Sequence, residues 1–223
     1  MKRLLLLTLG LTMICGAKAQ EEKLEIKPSG RILLDGGLFK ADGQDDKFND
    51  GFAIPDMRVG FSASYGAWKA KVDMGYAYGK VNMKDVFVQY NFDKEAADFL
   101  RAGYFIHQFG LQSATSSSFK ISMEEPASNQ AFNNSRMIGL MYQHTRSKFL
   151  GTLSFFTESD AMKMTSDKLG NQGVGMMTRL VYKPFCEPGK IFHVGLSGAF
   201  ETPRYSSDKE LSHHSYTLST TFP

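Results

Sequence analysis

The fold is decided by residues 57–106, which read MRVGFSASYGAWKAKVDMGYAYGKVNMKDVFVQYNFDKEAADFLRAGYFI. Bulky or apolar residues occupy every second position of its first run, with small or polar residues between them. The alternating positions of this run are Met57, Val59, Phe61, Ala63 and Tyr65. A period of two over about ten residues predicts a β-strand with one apolar and one wet face. Three more such runs follow. Their aromatic-rich faces, opposite charged residues and glycines, predict the strands of a transmembrane β-barrel.

The same alternation extends over most of the chain and predicts an all-β protein. About ten strands are separated by polar connections. The connections are residues 40–56, 66–67, 79–83, 93–98, 108–135, 146–148, 158–172, 184–190 and 202–213. Every second connection is short, which is typical of outer-membrane barrels with short periplasmic turns and longer extracellular loops. We therefore predict an antiparallel transmembrane β-barrel whose N-terminus lies in the periplasm.

The N-terminus has the pattern of a secretory signal peptide. Residues 1–19 begin with two basic residues, continue with an apolar run that ends at Cys15, and finish with Ala17-Lys18-Ala19. This small-residue motif predicts cleavage before Gln20, and the apolar run is too short for a transmembrane helix. Acylation at Cys15 is the alternative, but residues 12–14 are not the small residues expected before such a cysteine.

Cleavage changes the charge of the mature chain. The whole chain has a formal net charge of +3, and the signal peptide carries three basic residues and no acidic one, so the mature chain is close to neutral. A neutral chain gives no reason to expect a nucleic-acid partner. Cys186 is then the remaining cysteine, so no internal disulfide is expected. Polar residues 20–30 predict a periplasmic lead-in to a barrel domain at residues 31–223.

One group of motifs resembles a known family. Residues 99–112 read FLRAGYFIHQFGLQ, and Met123-Glu124-Glu125 and Arg136-Met137-Ile138-Gly139-Leu140 follow them. Their order and spacing resemble the phosphate-selective porin family, the O and P porins and their relatives in anaerobic Gram-negative bacteria. The resemblance covers most of residues 30–222. It implies a usually trimeric outer-membrane channel for phosphate or other anions, built as a barrel of about sixteen strands.

The chain supplies fewer strands than such a barrel needs. With about ten strands and an end at Phe222-Pro223, it is expected to be an incomplete, truncated member of a sixteen-stranded barrel. Residues 108–135 form the longest connection. By analogy with porins in general, this loop is the candidate constriction that folds into the barrel and narrows it.

Strand parity places a modest excess of basic residues on the wet face. The candidate pore-lining residues that would face anions are Arg58, Lys69, Lys71, Arg101 and Arg179. Fixed cations favour anions in a pore, because a partly desolvated anion needs a counter-charge. The alternative is that these cations only keep the lumen wet and pair with inward acids. The acids that parity places there are Asp73, Asp85 and Glu201.

The candidate constriction loop adds further charged residues. They are Lys120, Glu124, Glu125 and Arg136. The two glutamates would oppose anions if they faced the pore. Parity places Arg136 with Ile138 on the lipid side, but as the first residue of its strand it is expected at the rim or as an anchor of the loop.

Aromatic residues crowd the predicted strand ends and predict girdles at the membrane interfaces. They are Tyr65, Trp68, Tyr76, Tyr78, Tyr90, Phe92, Tyr104 and Tyr142. The alternative is a soluble β-sandwich with aromatic core faces. The signal peptide, the long strands and the unequal connections favour the membrane protein.

The predicted function is passive diffusion of small, preferably anionic solutes through an outer-membrane porin. Expected partners are outer-membrane lipid, the anionic solutes and, if the barrel is complete, the other copies of a homotrimer. We expect no catalytic residue, metal or cofactor, because no nucleophile motif, glycine-rich phosphate loop or metal-ligand spacing is present. Two alternatives remain, a non-conducting surface binding protein and a small-barrel outer-membrane protease. The candidate rim residues of such a protease are Asp160, Asp167, Asp208 and His213.

Overall fold

The computed structural model describes residues 22–38, 50–77, 79–95, 97–116, 119, 136–157 and 173–202. Within these ranges the chain forms one antiparallel sheet of nine strands, each paired with the next along the sequence. The strands are β1 (Glu25–Gly37), β2 (Gly51–Tyr65), β3 (Trp68–Ala77), β4 (Lys80–Asn91), β5 (Phe99–Phe105), β6 (Met137–Thr145), β7 (Phe149–Thr157), β8 (Val174–Glu187) and β9 (Lys190–Glu201), and a short helix α1 is Gly110–Ala114. The predicted all-β antiparallel architecture is confirmed.

The sheet is open within the described residues. Its edges are β1 and β9, which do not pair with each other in these ranges. The predicted tenth strand at residues 216–222 and the predicted signal peptide at residues 1–19 lie outside the described residues. No helix in the described part of the chain has the length and apolar character needed to cross a membrane.

The connections differ between the two ends of the sheet. Short connections at residues 66–67, 92–98, 146–148 and 188–189 lie at one end. At the other end are the long connections 38–50, 106–136 and 158–173, together with the short turn 78–79. The predicted alternation of short and long connections is therefore present.

Strands β1 and β4 are among those that begin earlier than the sequence predicts. β1 begins at Glu25, so residues 25–30 of the predicted lead-in belong to the sheet. Pro28 argued against a strand in the sequence, because proline has no backbone N–H group. An edge strand tolerates proline, since its outer side makes no hydrogen bonds to a neighbouring strand. β4 begins at Lys80, so the predicted connection 79–83 shrinks to a tight turn.

Two further prolines lie inside strands rather than in loops. Pro55 belongs to β2 and Pro184 to β8, so the predicted connections 40–56 and 184–190 are too long at those ends. Both prolines lie where the strand register shifts. A bulge leaves one residue outside the regular ladder, so it accepts a residue without an N–H group.

The two faces of the sheet differ as the alternation predicts. On β2, the outer-face side chains of Val59 and Phe61 are 58% and 57% exposed. The opposite face, here called the inner face, carries the charges and two buried apolar clusters. These clusters are Phe87, Phe99, Phe105 and Met141, and Met137, Phe156 and Met177. For β7, where the sequence left the facing open, Phe155 lies on the outer face and Phe156 on the inner face.

Candidate functional site

Three polar side chains form a row across the inner face of β3, β4 and β5. Lys69 lies opposite Gln89 in the strand register, and Gln89 lies opposite Arg101. Gln89 Oε1 accepts hydrogen bonds from Arg101 Nε at 3.0 Å and from Arg101 Nη2 at 2.7 Å. These bonds fix one edge of the guanidinium group and leave its Nη1 donors unused by Gln89. We call these three residues the cationic row.

Aromatic rings support the cation of Arg101. Its guanidinium carbon lies 4.1 Å from the ring centroid of Phe87, 4.9 Å from that of Phe99 and 5.4 Å from that of Phe105. A cation over the face of an aromatic ring is attracted by the ring quadrupole. Because all three rings are buried, they hold Arg101 in one position.

The cationic row carries positive charge without a directly paired acid. Within the described ranges, no carboxylate lies within ion-pair distance of Lys69 or Arg101. The two side chains therefore present their charge to whatever occupies the space above the inner face. Gln89, which helps to orient Arg101, was not among the residues singled out from the sequence, although its parity places it on the same face.

The other basic residues of β2 and β3 are paired. Arg58 Nε lies 2.9 Å from the Asp56 carboxylate. Lys71 Nζ lies 2.6 Å from Asp73 Oδ2 and 3.5 Å from Asp85 Oδ2. Arg58 and Lys71 thus fit the alternative interpretation, in which inward cations pair with inward acids.

A bulge in β4 concentrates charge on the inner face. Val72 pairs with Val86 but Met74 pairs with Met83, so Lys84 and Asp85 stand opposite one residue of β3. A bulge of this kind re-aims side chains. The Lys84 side chain crosses the inner face where Gly75 leaves room, since a Cβ there would lie 3.0 Å from Lys84 Cγ. The alternation pattern gave no signal for Lys84.

Arg136 joins this charged group. It lies directly before β6, and its Nε donates a hydrogen bond to Asp85 Oδ1 at 2.7 Å. Since Asp85 lies on the inner face, Arg136 does not face the lipid side to which parity alone would assign it, and its expected position at the rim or as an anchor of the loop stays a prediction. The register of β6 does not extend to Arg136, so its side chain is free to turn inward. The ion pair ties the end of the long connection to β4.

The long connection starts by crossing the inner face. The ring of His107 lies 4.4 Å from the ring of Phe105 and 4.8 Å from that of Phe156, between centroids. His107 Nε2 lies 3.3 Å from the Met137 carbonyl oxygen. Gly139 makes space for the ring, because a Cβ there would lie 2.7 Å from His107 Cε1. Burial lowers the pKa of His107, which follows the end of β5, to about 4. We call residues 106–114 the crossing segment.

The crossing segment reaches the far side of the described sheet. Phe109 packs against the buried cluster that contains Met177. The Gly110 N–H donates a hydrogen bond to Ser197 Oγ of β9 at 3.1 Å, and the Gly110 carbonyl accepts one from Arg179 Nη1 of β8. The start of the predicted constriction loop therefore lies over the inner face, from β5 to β9.

The remaining predicted site residues are less accessible or lie elsewhere. Arg179 is on the inner face, as its parity predicts, but it is only 6% exposed and contacts Gly110. Glu201 lies opposite Gly175 at the end of β9. Outside the described residues are Lys120, Glu124, Glu125, Tyr78, Cys15, Asp160, Asp167, Asp208 and His213.

A polar cluster joins two short connections at the opposite end of the sheet. Asp98 Oδ1 accepts a hydrogen bond from the Thr145 N–H at 3.0 Å and lies 3.0 Å from His144 Nδ1. Asp98 Oδ2 lies 3.2 Å from Arg146 Nη2. The Thr145 N–H, with the nearby cations, holds the pKa of Asp98 below its usual range. In the described part of the chain, no group of three or more His, Cys, Asp or Glu residues could hold a metal ion.

Aromatic rings on the outer face gather at that same end. Trp68 and Tyr90 lie 5.0 Å apart between ring centroids, Tyr90 and Phe92 5.3 Å, and Phe92 and Tyr142 6.0 Å. All three pairs are edge-to-face. This continuous band is the geometry expected of side chains at a membrane interface.

A family model described as phosphate-selective porin O and P matches residues 26–222. The match includes every strand of the sheet except the first residue of β1, as well as the crossing segment and the cationic row. A search of curated proteins gave no match.

Proposed function

Because the chain belongs to the phosphate-selective porin O and P family, a family of outer-membrane channels, we propose that it conducts small anions by passive diffusion. The observation that carries this proposal is the cationic row. Lys69 and Arg101 lie on either side of Gln89 on the inner face, and neither forms an ion pair with a carboxylate of the described residues. A wet passage along that face would favour anions over cations.

The outer face supports the membrane location that the family implies. The outward side chains of β3 run from Trp68 to Tyr76, a length of about 26 Å at about 3.3 Å per residue. With a strand tilt of about 40°, this length covers about 20 Å of membrane thickness, close to the apolar band of about 25 Å in outer-membrane barrels. The aromatic band at Trp68, Tyr90 and Tyr142 would mark its periplasmic edge.

The donor geometry supports an anion preference more directly than a preference for phosphate. Arg101 has donors left after its two bonds to Gln89, and Lys69 Nζ has three. Together they would replace part of the water shell of a passing anion. Phosphate, which carries more acceptor oxygens than chloride, would use more of these donors. We therefore propose that phosphate passes this row more slowly than chloride at equal driving force.

The proposal also covers how the pore is narrowed, how the chain is exported and how it assembles. Loop 108–135, with Lys120, Glu124, Glu125 and Arg136, would set the pore cross-section, since its start already lies over the inner face. Export would use the signal peptide at residues 1–19. If the barrel is complete, the chain would assemble as a homotrimer. Small anions and outer-membrane lipid would be its partners.

The test is reconstitution into a planar bilayer, with the reversal potential read in a KCl gradient. We expect an anion-selective current whose selectivity decreases in Lys69→Gln and in Arg101→Gln. Arg101→Lys, which keeps the charge, should retain most of the selectivity. Lys148→Gln is the matched control, because it removes the same charge from an exposed turn. Absence of current from folded protein, or equal reversal potentials in all variants, would overturn the proposal.

A further inference from the structure

One residue of the crossing segment is held from two strands at once. Gly110 is bound through its carbonyl by Arg179 of β8 and through its amide by Ser197 of β9. Arg179 and Ser197 are register partners across the β8–β9 ladder. Two neighbouring side chains thus bind both backbone polar groups of one residue, and both side chains come from strands that are distant from β5 in the sequence.

The backbone of Gly110 is suited to this contact. Its φ angle is +73°, a left-handed conformation that other residues adopt only with strain. In this conformation its N–H and C=O groups both reach the inner face. The contact therefore depends on a glycine at this position and on donor and acceptor side chains on β8 and β9.

The surroundings of Arg179 differ from those of the cationic row. Arg179 is 6% exposed, whereas Lys69 and Arg101 are only partly buried. Within the described ranges, no carboxylate lies within ion-pair distance of Arg179, and its hydrogen bond goes to the Gly110 carbonyl. A passing anion would have to displace the crossing segment to reach this guanidinium group.

We propose that Arg179 is a positioning residue that fixes the crossing segment over the lumen, and that it does not bind the permeating anion. The inference rests on the proposed channel function. His107 and Phe109 hold the near part of the segment by packing, while Arg179 and Ser197 hold its far part by hydrogen bonds. Without the far contact, residues 110–114 would swing away from β8 and β9 and the passage would widen.

The first experiment does not require conduction. A spin label on Leu111→Cys, in a Cys186→Ser background, reports the motion of the segment, because the Leu111 side chain is 51% exposed. We expect an immobilised label in the parent and a mobile one in Arg179→Gln. Ser197→Ala, a milder change for the case in which Arg179→Gln does not fold, should also raise label mobility. An unchanged spectrum in the folded variants would overturn the proposal.

The second experiment separates positioning from anion binding. In bilayers, Arg179→Gln should raise the single-channel conductance and admit larger polyethylene glycols, with the chloride-to-potassium permeability ratio nearly unchanged. Lys69→Gln should lower the chloride-to-potassium permeability ratio and leave the size limit for polyethylene glycols nearly unchanged. Arg179→Lys keeps the charge but loses the planar donor fork, so it should widen the channel as well. If Arg179→Gln lowers selectivity without changing the size limit, Arg179 is an anion-binding residue and the proposal fails. If no protein conducts, the channel function fails, and the spin label still decides the positioning role.

Discussion

Acidification should release the crossing segment at His107. The ring is fully buried between Phe105 and Phe156, and burial lowers its pKa to about 4. The charged group facing it is Arg101 on β5, which carries the same sign and lowers the pKa further. The hydrogen bond to the Met137 carbonyl raises the pKa, and this effect is smaller than that of burial and larger than that of Arg101.

The direction of the pH effect on attachment of the crossing segment follows from the lowered pKa of His107. A released segment returns His107 to an ordinary pKa of about 6.5, so the released state binds a proton more readily than the attached state. Attachment therefore has its full stability above about pH 6.5 and loses it as the pH falls towards 4. The loss is about 2 kcal/mol at pH 5 and approaches about 3 kcal/mol below pH 4, at about 1.4 kcal/mol for each pKa unit.

The assay is the mobility of the Leu111→Cys spin label measured from pH 8 to pH 3.5. We expect the mobile fraction to rise as the pH falls below about 5.5, in parallel with single-channel conductance. His107→Phe is the matched control, because it keeps a flat ring between Phe105 and Phe156 without a titrating group. A pH response that is the same in His107→Phe would refute the role assigned to His107.

Three further predictions concern the same inner face and the end of the sheet that carries the short connections. Phe156→Ala removes a ring from a buried cluster and from His107, and should lower the unfolding free energy in detergent by about 3 kcal/mol, read from urea titration of tryptophan fluorescence. Gly139→Val places a Cβ against the backbone carbonyl of Phe155 as well as against His107, so it should make the spin label at position 111 mobile at neutral pH and also weaken the β6–β7 ladder, read as a lower thermal unfolding temperature by circular dichroism. Asp98→Asn should lower the thermal unfolding temperature at pH 7 and have little effect at pH 2, because the lowered pKa of Asp98 contributes stability that is present above about pH 4 and lost below it.

The sequence predicted the sheet better than it predicted the register. A period of two fixes which side chains share a face. In the structure one face of the sheet carries Arg58, Lys69, Lys71, Arg101 and Arg179, and that this face lines a pore stays a prediction. Bulges break that rule locally. The bulge at Lys84-Asp85 sends two consecutive side chains inward, and parity has no means of finding it.

The crossing segment could not be derived from the sequence, since its contacts are long-range. His107 contacts a carbonyl 30 residues away, and Gly110 contacts a side chain 87 residues away. The local sequence pattern indicates only a polar loop in this region. The analogy with porins suggested that the loop folds inward, and it could not name the residues that hold it.

Parity predicts the same role for all five basic residues of the inner face. The structure shows that their charges differ in accessibility, because their neighbours differ. Arg58 and Lys71 form ion pairs with carboxylates of the sheet, so their charge is largely neutralised inside the protein. Arg179 is covered by a peptide group that it binds. Lys69 and Arg101 keep their charge on the inner face, with Arg101 held by Gln89 and three phenyl rings. The anion preference of the channel should therefore depend on two residues, and its width on a third, so that selectivity and size can be changed by separate substitutions.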